Sequence, residues 1–155
     1  MKYAIPFFVI CLFFISCQPN PETAKTTSAA NPLAGTWQLI SGTTIQGRDT
    51  TTTDYTKNKR FLKIINDSHF SFVGHDLNKG KDSLAFYSSG AGTYTLKDSN
   101  YTEHLQFCND RAWEGNDFSF HIQISNDSLT QIGVEKVEKL NVDRLNIERY
   151  VRVKE

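Results

Sequence analysis

Residues 92–107, GTYTLKDSNYTEHLQF, decide the fold class because they form two strand-like runs joined by a polar turn. Strict alternation on the second run predicts a buried face made of Tyr101, Glu103, Leu105 and Phe107. The opposite face is polar, which is typical of an antiparallel strand with one side in a core. Glu103 is the exception on the apolar face, and a carboxylate there needs a partner.

The same pattern continues through residues 33–155, where strand-like runs recur at intervals of roughly ten residues. Asn, Asp, Ser and Gly occupy the breaks between runs and favour tight turns. The segment VEKVEKLNVDRL at 134–145 also fits a helix, but a strand, a turn near Asn141 and a second strand are preferred. The sequence therefore predicts an all-β domain, an antiparallel up-and-down barrel of eight to ten strands, with a β-sandwich as the alternative.

The first residues predict export. Residues 1–16 combine Lys2 with an apolar run that is short for a membrane span, as in a signal peptide. Their end, FISC, resembles a bacterial lipoprotein cleavage box, which predicts lipidation of Cys17; an ordinary secretory signal is the alternative. Residues 17–32 lack large apolar side chains and predict a flexible tether. We expect a cell-envelope lipoprotein on the periplasmic face or at the cell surface.

Charge and cysteine content limit which partners and which stabilising interactions are expected. The 17 basic and 17 acidic residues balance, so net charge suggests neither nucleic acid nor an anionic membrane surface as a partner. Membrane contact would come through the lipid on Cys17, and the domain is expected to be monomeric. After loss of Cys11 with the signal, Cys108 has no disulfide partner in the domain, so stability must come from a core.

Three stretches resemble the lipocalin-like domain of exported bacterial proteins: NPLAGTWQL at 31–39, GAGTYTL at 90–96 with the strand that follows it, and the basic C-terminal strand. The resemblance implies a barrel with an internal cavity, closed at one end by Gly35 and Trp37. It implies no particular ligand, and no cofactor is expected.

A second charge on an apolar face lies near the C-terminus. In RLNIERYVRV at 144–153, Arg149 shares a predicted buried face with Leu145, Ile147, Val151 and Val153. An unpaired buried charge is costly, so Arg149 is expected to pair with Glu103 or, as the resemblance suggests, to pack across Trp37.

Two other arrangements of these charges remain open. In the first, a cavity lined by Tyr94, Tyr101, Glu103 and Arg149 binds the polar head of a small apolar or amphipathic ligand. In the second, a one-residue slip in register sends both charges to solvent.

The sequence offers little for catalysis. The four histidines lack metal-ligand spacing, and the chain contains no nucleophile or phosphate-binding motif. Alternation places His121 on the face opposite to Glu103, so no catalytic or metal-binding residue is predicted. Trp113 falls in a connection and is expected to plug one barrel end, with an exposed contact for a partner as the alternative. The predicted function is ligand binding, and the alternatives are a solidly packed protein-interaction module and a barrel enzyme.

Overall fold

The computed structural model describes residues 31–154, which form one antiparallel sheet closed into a barrel. Its strands are β1 Gly35–Gln46, β2 Asp49–Asp54, β3 Lys59–Ile65, β4 His69–Asp76, β5 Tyr87–Lys97, β6 Asn100–Cys108, β7 Asp117–Ser125, β8 Ser128–Val137 and β9 Val142–Arg152. Two short 3-10 turns, Arg111–Trp113 and Glu138–Leu140, precede β7 and β9. The prediction of an all-β barrel of eight to ten strands is confirmed, and the β-sandwich alternative is wrong.

The N-terminal predictions fall on residues outside this range. The signal peptide at 1–16, the lipidated Cys17 and all but the last two residues of the tether at 17–32 lie outside the described residues. Within residues 31–154, no helix has the length and apolar character needed to cross a membrane.

The first and last strands close the barrel. One edge of β1 pairs with β9, while the other edge pairs with β3 over its first residues and with β2 over its last residues. Eight strands therefore form the closed wall, and β2 extends the sheet beside the far half of β1. The sequence pattern did not predict β2, because DTTTTD has no apolar alternation and its strand character comes from β-branched threonine alone.

Strand β5 is continuous through its two glycines, Gly90 and Gly92. Its small residues are required by close approaches rather than by a turn. A Cβ on Gly90 would meet the Phe72 ring at 2.4 Å, and one on Gly92 would meet the His104 carbonyl at 2.0 Å. Glycine thus allows β5 to pass close to both neighbouring strands.

The predicted buried face of β6 is correct over most of its length. Tyr101, Glu103 and Leu105 are buried, but Phe107 is 66% exposed. The pairing with β5 shifts by one residue at Gln106, so alternation is interrupted there. After this bulge, Cys108 turns toward the interior and contributes to the cavity wall.

The predicted buried face of β9 is wrong. Arg149 and Val151 are exposed, and the inward positions of this strand hold polar side chains instead. These inward residues are Arg144, Asn146, Glu148 and Tyr150. Alternation itself holds along β9, but the more polar side faces the barrel interior. The preferred strand, turn and strand at 134–145 are present, with Asn141 at a φ of 53° in the turn.

One end of the barrel is closed by an aromatic and arginine cluster. Trp37 is fully buried, and its indole Nε1 donates a 2.8 Å hydrogen bond to the Leu33 carbonyl. The Arg152 guanidinium lies 4.0 Å from the Trp37 ring centroid and donates to the carbonyls of Ala34 and Pro32. An arginine does therefore pack across Trp37, but it is Arg152 and not Arg149.

Gly35 leaves the room that this cluster needs. Its φ is 138°, and a Cβ there would lie 2.5 Å from the Arg152 guanidinium. Any side chain at this position would therefore conflict both with the backbone conformation and with the stacked arginine. The structure thus places Gly35 and Trp37 at the closed end of the barrel.

Candidate functional site

The barrel encloses a cavity of about 500 Å³ that extends from the Lys63 region to loops at the opposite end. One part of its wall is aromatic and is formed by Tyr55, Phe61, Phe72, Phe86, Trp113, Phe118 and Phe120. Another part, on β8 and β9, is polar and is formed by Gln131, Glu135, Arg144, Asn146, Glu148 and Tyr150. The cavity can therefore bury an apolar body and contact polar groups at the same time.

A buried ion pair lies at the inner end of the cavity. Lys63, on β3, is 3% exposed, and its ammonium contacts the Glu103 carboxylate, which is 6% exposed. The Lys63 Nζ also donates a 3.0 Å hydrogen bond to Gln131 Oε1. Three aromatic rings surround the ammonium with centroids 5.4 to 5.7 Å away, those of Phe70, Tyr101 and Tyr150. The carboxylate on the apolar face of β6 is therefore compensated by Lys63.

The buried position of this pair shifts the pKa of Glu103 and that of the neighbouring Tyr101. Burial raises the pKa of Glu103 above its usual range, and the Lys63 ammonium opposes that rise. Burial likewise raises the pKa of Tyr101, and the nearby Glu103 carboxylate raises it further. Tyr101 thus remains a neutral phenol, and its ring contributes to the cage around the lysine.

A second ion pair lies nearer the loop end of the cavity, beside Trp113. The Arg144 Nε donates to Glu135 Oε2 at 2.7 Å, and the Asn146 amide donates to Glu135 Oε1 at 2.8 Å. Burial raises the pKa of Glu135, and Arg144 opposes that effect. The Arg144 guanidinium also lies 5.4 Å from the centroid of Trp113. Both carboxylate oxygens of Glu135 are therefore already occupied by protein donors.

Glu148 differs from Glu103 and Glu135, the other two glutamates in the cavity wall. Its Oε2 accepts a 2.7 Å hydrogen bond from the Tyr150 hydroxyl. Among residues 31–154, no Lys, Arg or His nitrogen lies within salt-bridge distance of its carboxylate. Burial raises the pKa of Tyr150, and the Glu148 charge raises it further. Glu148 Oε1 is therefore available at the cavity wall to accept a hydrogen bond from a ligand.

The four residues predicted to bind a ligand do not form one site. Glu103 lines the cavity, whereas Tyr94 and Tyr101 lie outside its lining. The Tyr94 hydroxyl donates a 2.6 Å hydrogen bond to the Asn66 carbonyl, and its ring centroid is 5.1 Å from that of Tyr101. Arg149 is exposed on the outer face, so the predicted contact between Glu103 and Arg149 is absent. The positions of Tyr94 and Tyr101 indicate a packing role.

Sequence reasoning missed Lys63 and Glu148. Lys63 could have been found by the argument used for Glu103, because it alternates with Phe61 and Ile65 on one face of β3. Glu148 had no such signal, since its face of β9 is polar and resembles a solvent-exposed side. The hydrophobic pattern therefore identified part of the ion pair, and the resemblance implied the closed end, but neither indicated the polar cavity wall.

His121 and Trp113 are two further residues considered from the sequence, and the structure gives each of them a position. His121 is exposed on β7, on the side of the sheet opposite to the buried Glu103. Trp113 covers part of the cavity and its ring centroid lies 5.8 Å from that of Phe118, as expected of a plug. Within the described range, no three His, Cys, Asp or Glu side chains are grouped as metal ligands would be.

Fold and cavity together define a small closed antiparallel β-barrel with an amphipathic interior. The chain belongs to the family described as domain of unknown function DUF4488, whose model matches residues 32–155. No curated protein matches it. An uncharacterised protein from Bacteroides eggerthii DSM 20697 is similar in structure, with 13% identity, a TM-score of 0.45, and coverage of 77% of this chain and 98% of that one. A mutant of the fluorescent protein UnaG is also similar, with 9% identity, a TM-score of 0.37, and coverage of 79% and 97%.

Proposed function

We propose that this protein is an exported, lipid-anchored barrel that binds a small amphipathic molecule in its interior. The observation that carries the proposal is the cavity of about 500 Å³ with one aromatic and one polar wall. Ligand pockets of about 300–1,000 Å³ commonly combine a mainly apolar lining with a few placed polar groups. The alternative, an interaction module with a solidly packed barrel, predicts no such cavity.

The aromatic wall is suited to an apolar ligand body. Phe61 stacks on Phe72 with centroids 5.6 Å apart, and Tyr55 meets Phe61 edge to face at 5.9 Å. These rings hold one another in place, so the wall exists before a ligand arrives and little ordering accompanies binding. A ligand of matching size would displace water from these rings and gain from burial of apolar area.

Native mass spectrometry of the protein purified from its own host tests the proposal. We expect an adduct of a few hundred daltons that is released on denaturation. A clean mass for the folded protein, from gentle preparations in several growth conditions, would contradict binding of a resident ligand.

Filling the cavity should abolish binding without unfolding the protein. Thr44 lines the cavity from β1, and Thr44→Trp is expected to occupy the space that a ligand would use. Thr43 is the matched control, because it lies on the outer face of the same strand, where its hydroxyl bonds to that of Thr52. The adduct should disappear in Thr44→Trp and persist in Thr43→Trp, with both variants folded by circular dichroism. Adducts of equal abundance in the two variants would show that the ligand binds outside the cavity.

The anchoring part of the proposal rests on the sequence around Cys17. Cys17→Ser removes the thiol that would carry the lipid, so we expect the protein to move from the membrane fraction to the soluble fraction of its host. Fractionation followed by immunoblotting checks this expectation. Unchanged membrane association of the variant would contradict lipidation at Cys17 and leave the cavity proposal untouched.

A further inference from the structure

We propose that the ligand carries a positively charged nitrogen group that binds the Glu148 carboxylate. This inference rests on the proposed function of the cavity. The expectation from sequence was a polar head group bound by Tyr94, Tyr101, Glu103 and Arg149. The structure places that arginine, Arg149, on the outer face of β9. The groups that do line the cavity favour a cation.

The charges in the cavity wall do not balance. Lys63 is paired with Glu103, and Arg144 is paired with Glu135. Glu148 is the third glutamate of the wall, and the described chain provides no basic partner within 4.0 Å of it. The remaining acid of the lining, Asp110, is exposed and caps the turn at Arg111–Trp113. A cationic ligand would complete the third pair. An anionic ligand would have to take Lys63 or Arg144 from its carboxylate, which leaves an unpaired acid behind.

The Glu148 carboxylate is also accessible to a ligand. Its Oε2 is bound by the Tyr150 hydroxyl, and among the described residues its Oε1 accepts no side-chain hydrogen bond. Its neighbours across the ladder are Gln131 on β8 and Gly42 on β1. Gly42 has no side chain, and the Tyr55 ring packs beside it, 3.3 Å from where a Cβ would lie, so this aromatic ring borders the carboxylate on that strand.

The rings beside the cavity already attract cations. The Lys59 ammonium lies 5.6 Å from the Tyr55 centroid and 5.3 Å from that of Phe86, and the Arg144 guanidinium lies over Trp113. Ring faces stabilise ammonium groups, most strongly where water is excluded. A ligand with an amine at one end and an apolar body would therefore meet a carboxylate and aromatic faces in the same cavity.

Three probes with one phenylbutyl body and different ends test the charge preference: phenylbutylamine, phenylbutanol and phenylvalerate. Binding to the purified protein is measured by calorimetric titration, and cavity occupancy by the fluorescence of Trp113 in a Trp37→Phe background. We expect the amine to bind most tightly and the carboxylate most weakly. In Glu148→Gln, the amine should lose about tenfold to a hundredfold in affinity, as expected for a charged hydrogen bond.

The controls separate this inference from the proposed function. Phenylbutanol should bind Glu148→Gln and the wild type alike, which shows that the variant keeps its cavity. Glu138→Gln, an exposed acid with a side chain 86% accessible, should leave amine affinity unchanged. Equal affinities for all three probes, or a preference for phenylvalerate, would overturn the cation inference while leaving a binding cavity. No binding of any probe would overturn the inference and count against the proposed function as well.

Discussion

Lys63→Met is expected to lower the free energy of unfolding by about 3–5 kcal/mol at neutral pH, the loss typical when one partner of a buried ion pair is removed. Glu103 would remain in the barrel interior without the ammonium that contacts it, and Gln131 would lose its donor. Urea unfolding followed by circular dichroism measures the effect. A change below about 1 kcal/mol would mean that the pair is solvated in the native protein.

The pH dependence of this loss gives a second readout. Burial raises the pKa of Glu103 in the folded protein, and loss of Lys63 removes the group that opposes the rise. A carboxyl with a raised folded pKa contributes stability below its unfolded value, about 4.3, and loses it as pH rises through the folded value. The Lys63→Met variant should therefore be less impaired near pH 4 than at pH 7.

A double variant provides the matched control. Lys63→Met combined with Glu103→Gln removes both charges, and replacement of a whole buried pair is often nearly neutral. We expect it to recover most of the lost stability and to lose the pH dependence. A double variant that is less stable than Lys63→Met alone would show that Glu103 is held by groups other than Lys63.

Trp37→Ala should also be costly, at about 3–5 kcal/mol, because it empties a fully buried aromatic site at the closed end. It also removes the ring on which the Arg152 guanidinium stacks and the donor to the Leu33 carbonyl. Thermal and urea unfolding measure the loss. Trp113→Ala is the matched control, since that indole is only partly buried at the loop end of the cavity, and we expect it to cost clearly less.

A double-mutant cycle separates the stacking contact from simple burial. Arg152→Met keeps an extended side chain but loses the cation, and it should be coupled to Trp37→Ala by about 0.5–2 kcal/mol. Strict additivity of the two substitutions would show that Arg152 acts through its hydrogen bonds to the Ala34 and Pro32 carbonyls and not through the ring.

The sequence predicted the orientation of side chains correctly where the pairing between strands is regular and the barrel interior is apolar. On β6, alternation placed Tyr101, Glu103 and Leu105 correctly because no bulge interrupts that stretch. It failed at Phe107, where the one-residue shift at Gln106 reverses the sides of the strand. Bulges of this kind depend on the neighbouring strand, so alternation within one strand does not predict them.

The site was predicted less well than the fold for a physical reason. Hydrophobic patterning assumes that the apolar side of a strand faces inward, and an amphipathic cavity inverts that rule on its polar wall. On β9 the apolar Ile147 and Val151 face outward, while Asn146 and Glu148 face the interior. Arg149 was placed inside for this reason. Partners such as Lys63 and Glu103, on β3 and β6, are brought together only by closure of the barrel.

Pairing between the first and last strands affects when the protein can fold. Arg152 donates to the Ala34 carbonyl across 118 residues of chain, and β1 pairs with β9 along most of its length. The barrel thus cannot close during synthesis until β9 has emerged. Contacts this distant in sequence are associated with folding in milliseconds to seconds. During that interval the edges of β1 and β9 are open, so a truncated chain that lacks β9 would expose a template for aggregation.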